Sequence, residues 1–354
     1  MTGIASFKRR FEPQLKRFLD QRVLSFRTDT SDPFIVGLVT YAERLILHEG
    51  KRIRPYMAHL MYRAAGGRND RAAMELFTAF ETFHAFALVH DDIIDRGVTR
   101  HSLPTAHRFV ASQLRSKRRR GDAEHVGEGQ AILLGDHLFA WSLERMSRNP
   151  GFTDAAFKKA QACFYRMVEE VITGQMIDVD LTTRPRATRR LIDEKMRLKT
   201  AGYTFIRPLQ VGAALAGAPN SVVKFCEAFG LNLGLAFQTQ DDLLDLVSPA
   251  SALKKTVFSD LREHQHTYFT QHIFEHGTGK QIKELRGLLG SDLTERDRPR
   301  VMRLFDSSGA FEHGTRLMDR QFDAAEKLLA RSVFRKKDKL ELLELVRYIR
   351  NRAA

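Results

Sequence analysis

Leu88-Val89-His90-Asp91-Asp92-Ile93-Ile94-Asp95 sets three carboxylates within five residues, directly after the apolar run from Ala79 to Val89. That run reads as a buried helix. If the helix continues, Asp91 and Asp95 stand one turn apart at i,i+4, and Asp92 pairs with Asp95 at i,i+3. Like charges at those spacings destabilise a bare helix. The stretch is therefore either an acidic helix end facing water or a set of carboxylates gathered around a strong positive charge. Hard oxygen donors suit a divalent cation, and Mg²⁺ characteristically keeps waters and shares substrate phosphates. The rest of the chain decides between the two.

The pattern returns at Phe237-Gln238-Thr239-Gln240-Asp241-Asp242-Leu243-Leu244-Asp245, again after an apolar helical run, Leu231 to Phe237. One Asp-Asp-x-x-Asp is a weak signal. Two of them, each closing a hydrophobic helix, are hard to assign to chance. If both line one cavity, six carboxylates there are untenable without cations. Together they predict a multi-Mg²⁺ site that clamps a polyphosphate and neutralises charge as it leaves.

Composition narrows the classes. The chain has 354 residues, 43% of them hydrophobic, enough for a large core and too many for a disordered protein. Its two cysteines, Cys163 and Cys226, lie inside helical patterns with neither metal spacing nor a disulfide framework, which fits a reducing compartment. The opening MTGIASFKRRFEPQ lacks an apolar core of the signal-peptide kind, and no unbroken apolar run of membrane-spanning length occurs. A cytoplasmic protein with no transmembrane segment is expected. The net charge of +14 asks for an anionic partner: nucleic acid, an anionic membrane surface or phosphorylated small molecules. Nucleic acid leaves both aspartate clusters unexplained, and the basic run has no stacking aromatics among it, so no nucleic-acid partner is expected.

Helical periodicity dominates from end to end, with no convincing strand alternation. Helices are predicted over 5–27 and 34–48, then from Pro55 to Gly66-Gly67 with Arg54 as N-cap residue. The next, over 70–96, carries the opening stretch. Arg96 to Gly129 reads as a polar connection, and the basic run Arg115-Ser116-Lys117-Arg118-Arg119-Arg120 as a solvated mobile loop. Helices follow over 130–148 and 153–180, then a break from Thr182 to Arg190. A helix over 190–216, kinked by Pro208, and one over 220–247 come next. Residues 248–267 read as irregular, and the last third as helical with a loop from Gly290 to Pro299. No linker divides the chain. The expected fold is all-α, a single large helical bundle around a central cavity, spanning 1–354.

In its motifs the chain resembles the polyprenyl synthetases (trans-isoprenyl diphosphate synthases), from about Gly50 to Thr267 and in the family's order. The matching segments are GKRIRP (50–55), His84, LVHDDIID (88–95), Arg100 to Pro104, LLGD (133–136), GQMID (174–178), KTAGYT (199–204) and FQTQDDLLD (237–245). The resemblance is nearest to the actinobacterial type of geranylgeranyl synthase. It implies the isoprenoid synthase fold, a homodimer, and Mg²⁺, about three ions, held by Asp91, Asp95 and Asp241. It implies that Lys51, Arg54 and His84 bind isopentenyl diphosphate; Lys51 and Arg54 sit just before a predicted helix N-terminus, a setting that favours anions. Arg100, Lys199, Thr200, Gln238 and Lys255 correspond to contacts of the allylic diphosphate. Asp92, Asp242, Asp245 and Lys199 join the catalytic set, and Gln175 and Asp178 support the metals from the GQxxD helix. His90 is assigned no chemistry. The implied reaction is ionisation of the allylic diphosphate, attack by the double bond of isopentenyl diphosphate, and loss of a proton to the diphosphate.

Two departures bear on affinity. The family's Arg-Arg-Gly is Arg100-His101-Ser102 here, so His101 replaces an arginine that contacts isopentenyl diphosphate. The family's Asp-Leu-x-x-Gly-Lys is Asp260-Leu261-Arg262-Glu263-His264-Gln265, so Gln265 replaces a lysine near the allylic diphosphate. A charge-assisted hydrogen bond is worth roughly 1.5–3 kcal/mol, so both losses weaken binding. The product chain is expected to grow beside the helix before Asp91. Ala87, about 40° round and one turn deeper, leaves room there, while Phe86 is bulky. In the family that combination points to a C20 product, geranylgeranyl diphosphate, ahead of farnesyl diphosphate. The competing readings are a class I terpene cyclase on the same fold and a catalytically weak partner subunit of a synthase.

Overall fold

The computed structural model describes residues 2–48, 50–100, 102–249 and 257–352. It is 79% helical, as the periodicity predicts, and the only sheet among the described residues is a two-stranded hairpin. The chain forms two compact units, one from residues 1–59 and 68–157, the other from 60–67 and 158–354.

The first unit begins with α1 (Thr2–Asp29), whose Phe7, Phe11, Leu15, Phe18 and Leu19 recur at helical spacing and are buried. In α2 (Pro33–Leu47) the Asp32 side chain accepts from the N–H groups of Phe34 and Ile35, with Pro33 opening the helix. α3 (Ile53–Ala64) starts earlier than predicted. Arg52 precedes it in the left-handed region (φ 56°), and Arg54 and Pro55 lie inside the first turn rather than at the cap. α4 (Asp70–Ile94) is capped by the Asn69 side chain on the Ala72 N–H and closes at Asp95, whose N–H donates to the Asp91 carbonyl at 2.8 Å. It is long and apolar enough to cross a membrane, with mean hydropathy 1.2, but 72% of that window is buried inside the protein. That is the mark of a core helix.

The predicted polar connection from Arg96 to Gly129 is mostly structured. It holds the hairpin of β1 (Thr99–Arg100) and β2 (Leu103–Pro104), then α5 (Ala106–Ser116) and the start of α6 (Ala123–Ser147). Ala106, Val110, Ala111 and Leu114 share one buried face of α5, a stripe that the surrounding charges hid. Only 117–122 is left as an exposed turn. Arg118 and Gly121 take positive φ there, and Lys117 and Arg119 lie over the Phe34 ring. α6 packs along α4.

The second unit takes in most of α7 (Asp154–Leu181), then α8 (Arg189–Lys195), an 11-residue π-helix (Met196–Ile206) and α9 (Arg207–Leu215). A helix kinked at Pro208 was expected over this stretch; the irregularity is instead spread over the π-helix that ends just before it. Proline lacks an N–H and clashes with the carbonyl four residues back, so an α-ladder cannot run through Thr204 to Pro208. Wider i→i+5 turns absorb the mismatch, and the Arg207 N–H bonds Gly202 accordingly.

α10 (Asn220–Val247) packs against the π-helix so closely that a Cβ on Gly234 would lie 2.4 Å from Ala201. The stretch after α10 contains one short helix, α11 (Ser259–Arg262). Next come α12 (Tyr268–His276), α13 (Gly279–Leu288), a 3-10 turn at Glu295–Asp297 in the predicted loop, α14 (Arg298–Ser307), α15 (Ala310–Arg331) and α16 (Lys336–Arg350). Leu246, Phe258, Phe269, Leu288 and Phe305 centre one core cluster of this unit.

Candidate active site

In the first unit the aspartates of α4 separate by environment. Asp92 is buried, and Arg100 from β1 clasps it: Nε lies 2.9 and 3.0 Å from its two oxygens and Nη2 2.6 Å from one of them. Burial pushes the Asp92 carboxyl above its ordinary range, against the pull of Arg100. Burial also works against charge on Arg100, but Asp92 outweighs it and the guanidinium is held more tightly protonated. Asp91 and Asp95 remain partly exposed one turn apart, with Arg100 Nη2 4.0 Å from Asp91. So Arg100, read from the sequence as a diphosphate contact, here also organises the cluster.

Further down α4, the Phe86 ring is seated among Phe83, His90 and Phe139, with centroids at 5.2, 4.8 and 4.9 Å, and Ala87 is partly exposed beside it. His90 Nε2 lies 3.1 Å from the Ile132 carbonyl and 3.7 Å from Asp136, and Gly135 makes room for its ring. Lys51 is exposed, whereas Arg54 and His84 are partly buried. Sequence reasoning passed over the residue between the first two. Arg52 is buried and makes a 2.7 Å ion pair with buried Glu81, fixing the left-handed turn that presents Lys51. The signal was its place in GKRIRP; no spacing rule points to Glu81.

The second unit sorts its aspartates the same way. Asp242 is buried and accepts from Gln238 Nε2 at 2.8 Å, and Gln238 Oε1 accepts from the Thr200 hydroxyl at 2.6 Å. Burial lifts the Asp242 carboxyl to about 7, against the attraction of Lys195 and the Gln238 hydrogen bond. Asp245 is buried too, and accepts from the Ser259 hydroxyl (2.6 Å) and the Asp260 N–H (3.0 Å). Asp241 alone of the three is substantially open, at 46% side-chain exposure, and meets Arg352 Nη2 at 2.5 Å.

The two predicted residues of the KTAGYT segment, Lys199 and Thr200, stand on the π-helix. Lys199 Nζ lies 2.5 Å from Asp178 and Lys195 Nζ 2.9 Å from its other oxygen. Burial would raise the Asp178 carboxyl, but the two ammonium groups outweigh it and hold it below the ordinary range. Asp178 was read from sequence as metal support; here it anchors two lysines. Gln175 lies partly exposed on the same helix. Lys195, missed in the sequence, stands one turn before Lys199 and also reaches Gln265 Oε1 (3.4 Å) and the His266 carbonyl (3.0 Å). An ammonium group thus stands beside the glutamine that departs from the family pattern. His264, where the family has glycine, takes φ 57°. His101 and Lys255 lie outside the described residues.

Among the described residues no three His, Cys, Asp or Glu side chains form a ready metal cage. The exposed carboxylates do fit Mg²⁺, which binds through one or two carboxylates and completes its shell with water and phosphate.

Residues 37–305 match the family described as polyprenyl synthetase. A short chain isoprenyl diphosphate synthase of Methanothermobacter thermautotrophicus is 31% identical over 299 residues, 84% of this chain and 86% of that protein. A geranylgeranyl diphosphate synthase of Saccharolobus solfataricus is 32% identical over 243 residues, 68% of each. Among solved structures, a geranylgeranyl pyrophosphate synthase from Corynebacterium glutamicum complexed with isoprenyl diphosphate and magnesium superposes with a TM-score of 0.91 at 27% identity, covering 98% of both chains.

Proposed function

The chain belongs to the polyprenyl synthetase family, and from that premise we propose that it is a trans-prenyltransferase joining isopentenyl diphosphate head to tail to an allylic diphosphate. The observation that carries this reading is the sorting of the two clusters: Asp92, Asp242 and Asp245 are buried, whereas Asp91, Asp95 and Asp241 are partly exposed. The open three would hold Mg²⁺, about three ions in all with the diphosphate. When bound, the metal neutralises negative charge on the departing diphosphate.

The protein's own groups bind and orient. Lys51, Arg54, His84 and His101 take the diphosphate of isopentenyl diphosphate; Arg100, Lys199, Thr200, Gln238 and Lys255 take the allylic one. A guanidinium has five donors, so Arg100 can keep Asp92 and still reach a phosphate oxygen; Lys199, with three, can do the same from Asp178. Breaking the allylic C–O bond leaves diphosphate and an allylic cation. The isopentenyl double bond attacks that cation, and the new cation loses its proton to the diphosphate. Positioned cations favour the first step most, because charge develops there.

Geranylgeranyl diphosphate is the proposed product and farnesyl diphosphate the second choice, with Phe86 and Ala87 setting the length. The named relatives favour a synthase over a terpene cyclase or a weak partner subunit. Homodimerisation belongs to the same reading; Tyr165, Ile172, Met176 and Val179 give α7 a single exposed apolar stripe that supports it. So do a cytoplasmic location and one isoprenoid synthase domain over 1–354. Asp91→Ala and Asp241→Ala, assayed with Mg²⁺ and labelled isopentenyl diphosphate, are expected to lose product formation by about 100-fold or more. Undiminished turnover in both variants overturns the assignment.

A further inference from the structure

Asp241, the open carboxylate of the second cluster, meets a cation supplied by the chain itself. Arg352 Nη2 lies 2.5 Å from Asp241 Oδ1 and 2.9 Å from the Phe237 carbonyl. Its Nε donates to Gln240 Oε1 at 2.8 Å, and the guanidinium carbon sits 3.9 Å above the Phe237 ring. With 11% of the side chain exposed, this is a fitted seat, not a surface encounter. The segment leading to it is pinned as well. Gln240 Nε2 donates to the Arg350 carbonyl at 2.7 Å, and the Arg350 side chain reaches Asp319 (2.8 Å) and Asp323 (3.0 Å) on α15.

We propose that Arg352 is a tethered stand-in cation: it occupies Asp241 until Mg²⁺ displaces it, so that metal loading at Asp241 competes with the seating of Arg352. The inference rests on the reading of Asp241 as a metal ligand. Its logic is competitive. A guanidinium on Oδ1 offsets the negative charge that Asp241 offers and repels an arriving Mg²⁺, so the two cations compete for the carboxylate although its second oxygen could still accept. The apparent metal affinity is therefore reduced by the fraction of molecules in which Arg352 has left its seat. The four contacts of the seat also keep Phe237 and Gln240 in place next to Gln238 and Asp241.

Calorimetric titration of Mg²⁺ into the intact protein without substrate tests this. Arg352→Ala is expected to bind Mg²⁺ about tenfold more tightly than the unaltered chain, and Arg352→Lys to fall between the two, because the competing charge remains while the planar fork and its stack on Phe237 are lost. Adding Asp241→Asn to Arg352→Ala is expected to abolish the gain. A role in stability alone predicts the opposite sign or none, so equal or weaker Mg²⁺ binding by a folded Arg352→Ala overturns the proposal; should that variant misfold, Arg352→Gln, which keeps a donor without the charge, is read by the same criterion. Failure of the underlying reading looks different: Asp241→Asn alone then binds Mg²⁺ as the unaltered protein does.

Discussion

Each Asp-Asp-x-x-Asp cluster looks uniform in sequence, yet its members do different work. Asp245 bridges α10 to the start of α11 through Ser259 and Asp260. Asp245→Ala removes the buried acceptor of the Ser259 hydroxyl and the Asp260 N–H and should cost about 1–3 kcal/mol in chemical denaturation. Asp241→Ala removes a half-exposed carboxylate together with its pairing to Arg352, and should cost less than Asp245→Ala while abolishing turnover. Equal destabilisation by the two would contradict the sorting of open from buried aspartates. His264 offers a converse case. It holds φ 57°, a region that disfavours side chains, at a position where glycine is the family's choice. His264→Gly should raise stability by about 0.5–1 kcal/mol, the relief of strain exceeding the entropy cost; a lower melting temperature would argue that the imidazole makes a compensating contact. Spacing revealed the aspartates, and the resemblance to the polyprenyl synthetases the basic residues in the motifs. It could not reveal that Arg100 holds Asp92, that Glu81 answers Arg52 or that Arg352 sits on Asp241. Glu81 and Arg352 come from distant parts of the chain, and Arg100 lies eight residues from Asp92 beyond the helix end, so no periodicity connects any of these partners.

At the scale of elements, the π-helix carries most of what was not legible. A shift from i→i+4 to i→i+5 bonding changes no composition, so Met196–Ile206 reads as an ordinary helix with a proline after it. What fixes its position is packing. Gly234 lets α10 meet Ala201, and Gly174 lets α7 approach the Lys199 backbone, where a Cβ would lie 2.5 Å from the nitrogen. Gly234→Ala forces these apart and should cost about 1–3 kcal/mol and lower catalysis by displacing Thr200 from Gln238. Unchanged denaturation and activity would show that the approach is not tight.

The Asp178 anchor has a pH signature. Its folded pKa is depressed below the ordinary 3.8, so its stabilisation is complete above that value and is lost as pH falls through the folded pKa. At neutral pH Asp178→Asn should cost about 3–5 kcal/mol, because two ammonium groups lose their counter-charge. The gap between variant and parent should close as the pH is taken below 3.8; a gap that persists there would mean that the carboxylate's charge is not what matters. The helices themselves were legible because their apolar stripes are regular. α5 was not, because five of the six residues from Arg115 to Arg120 are basic and drew attention from the Val110 and Leu114 stripe before them.

For the whole molecule, the all-α class follows from the dominance of one period over the entire chain. The net charge of +14 speaks to kinetics, not fold. Anionic substrates should be captured faster at low ionic strength, so kcat/KM should fall severalfold as the screening length shortens from about 30 to about 8 Å, with kcat moving less. On the proposed function the two clusters serve prenyl chain elongation. Incubating the purified protein with Mg²⁺, isopentenyl diphosphate and each allylic diphosphate in turn, and reading the products by mass spectrometry, tests it most directly. The predicted result is a C20 geranylgeranyl diphosphate that needs both substrates and Mg²⁺, and that lengthens when Phe86 is replaced by alanine. Release of a cyclised hydrocarbon from the allylic diphosphate alone, or no consumption of isopentenyl diphosphate under any of these conditions, would contradict it.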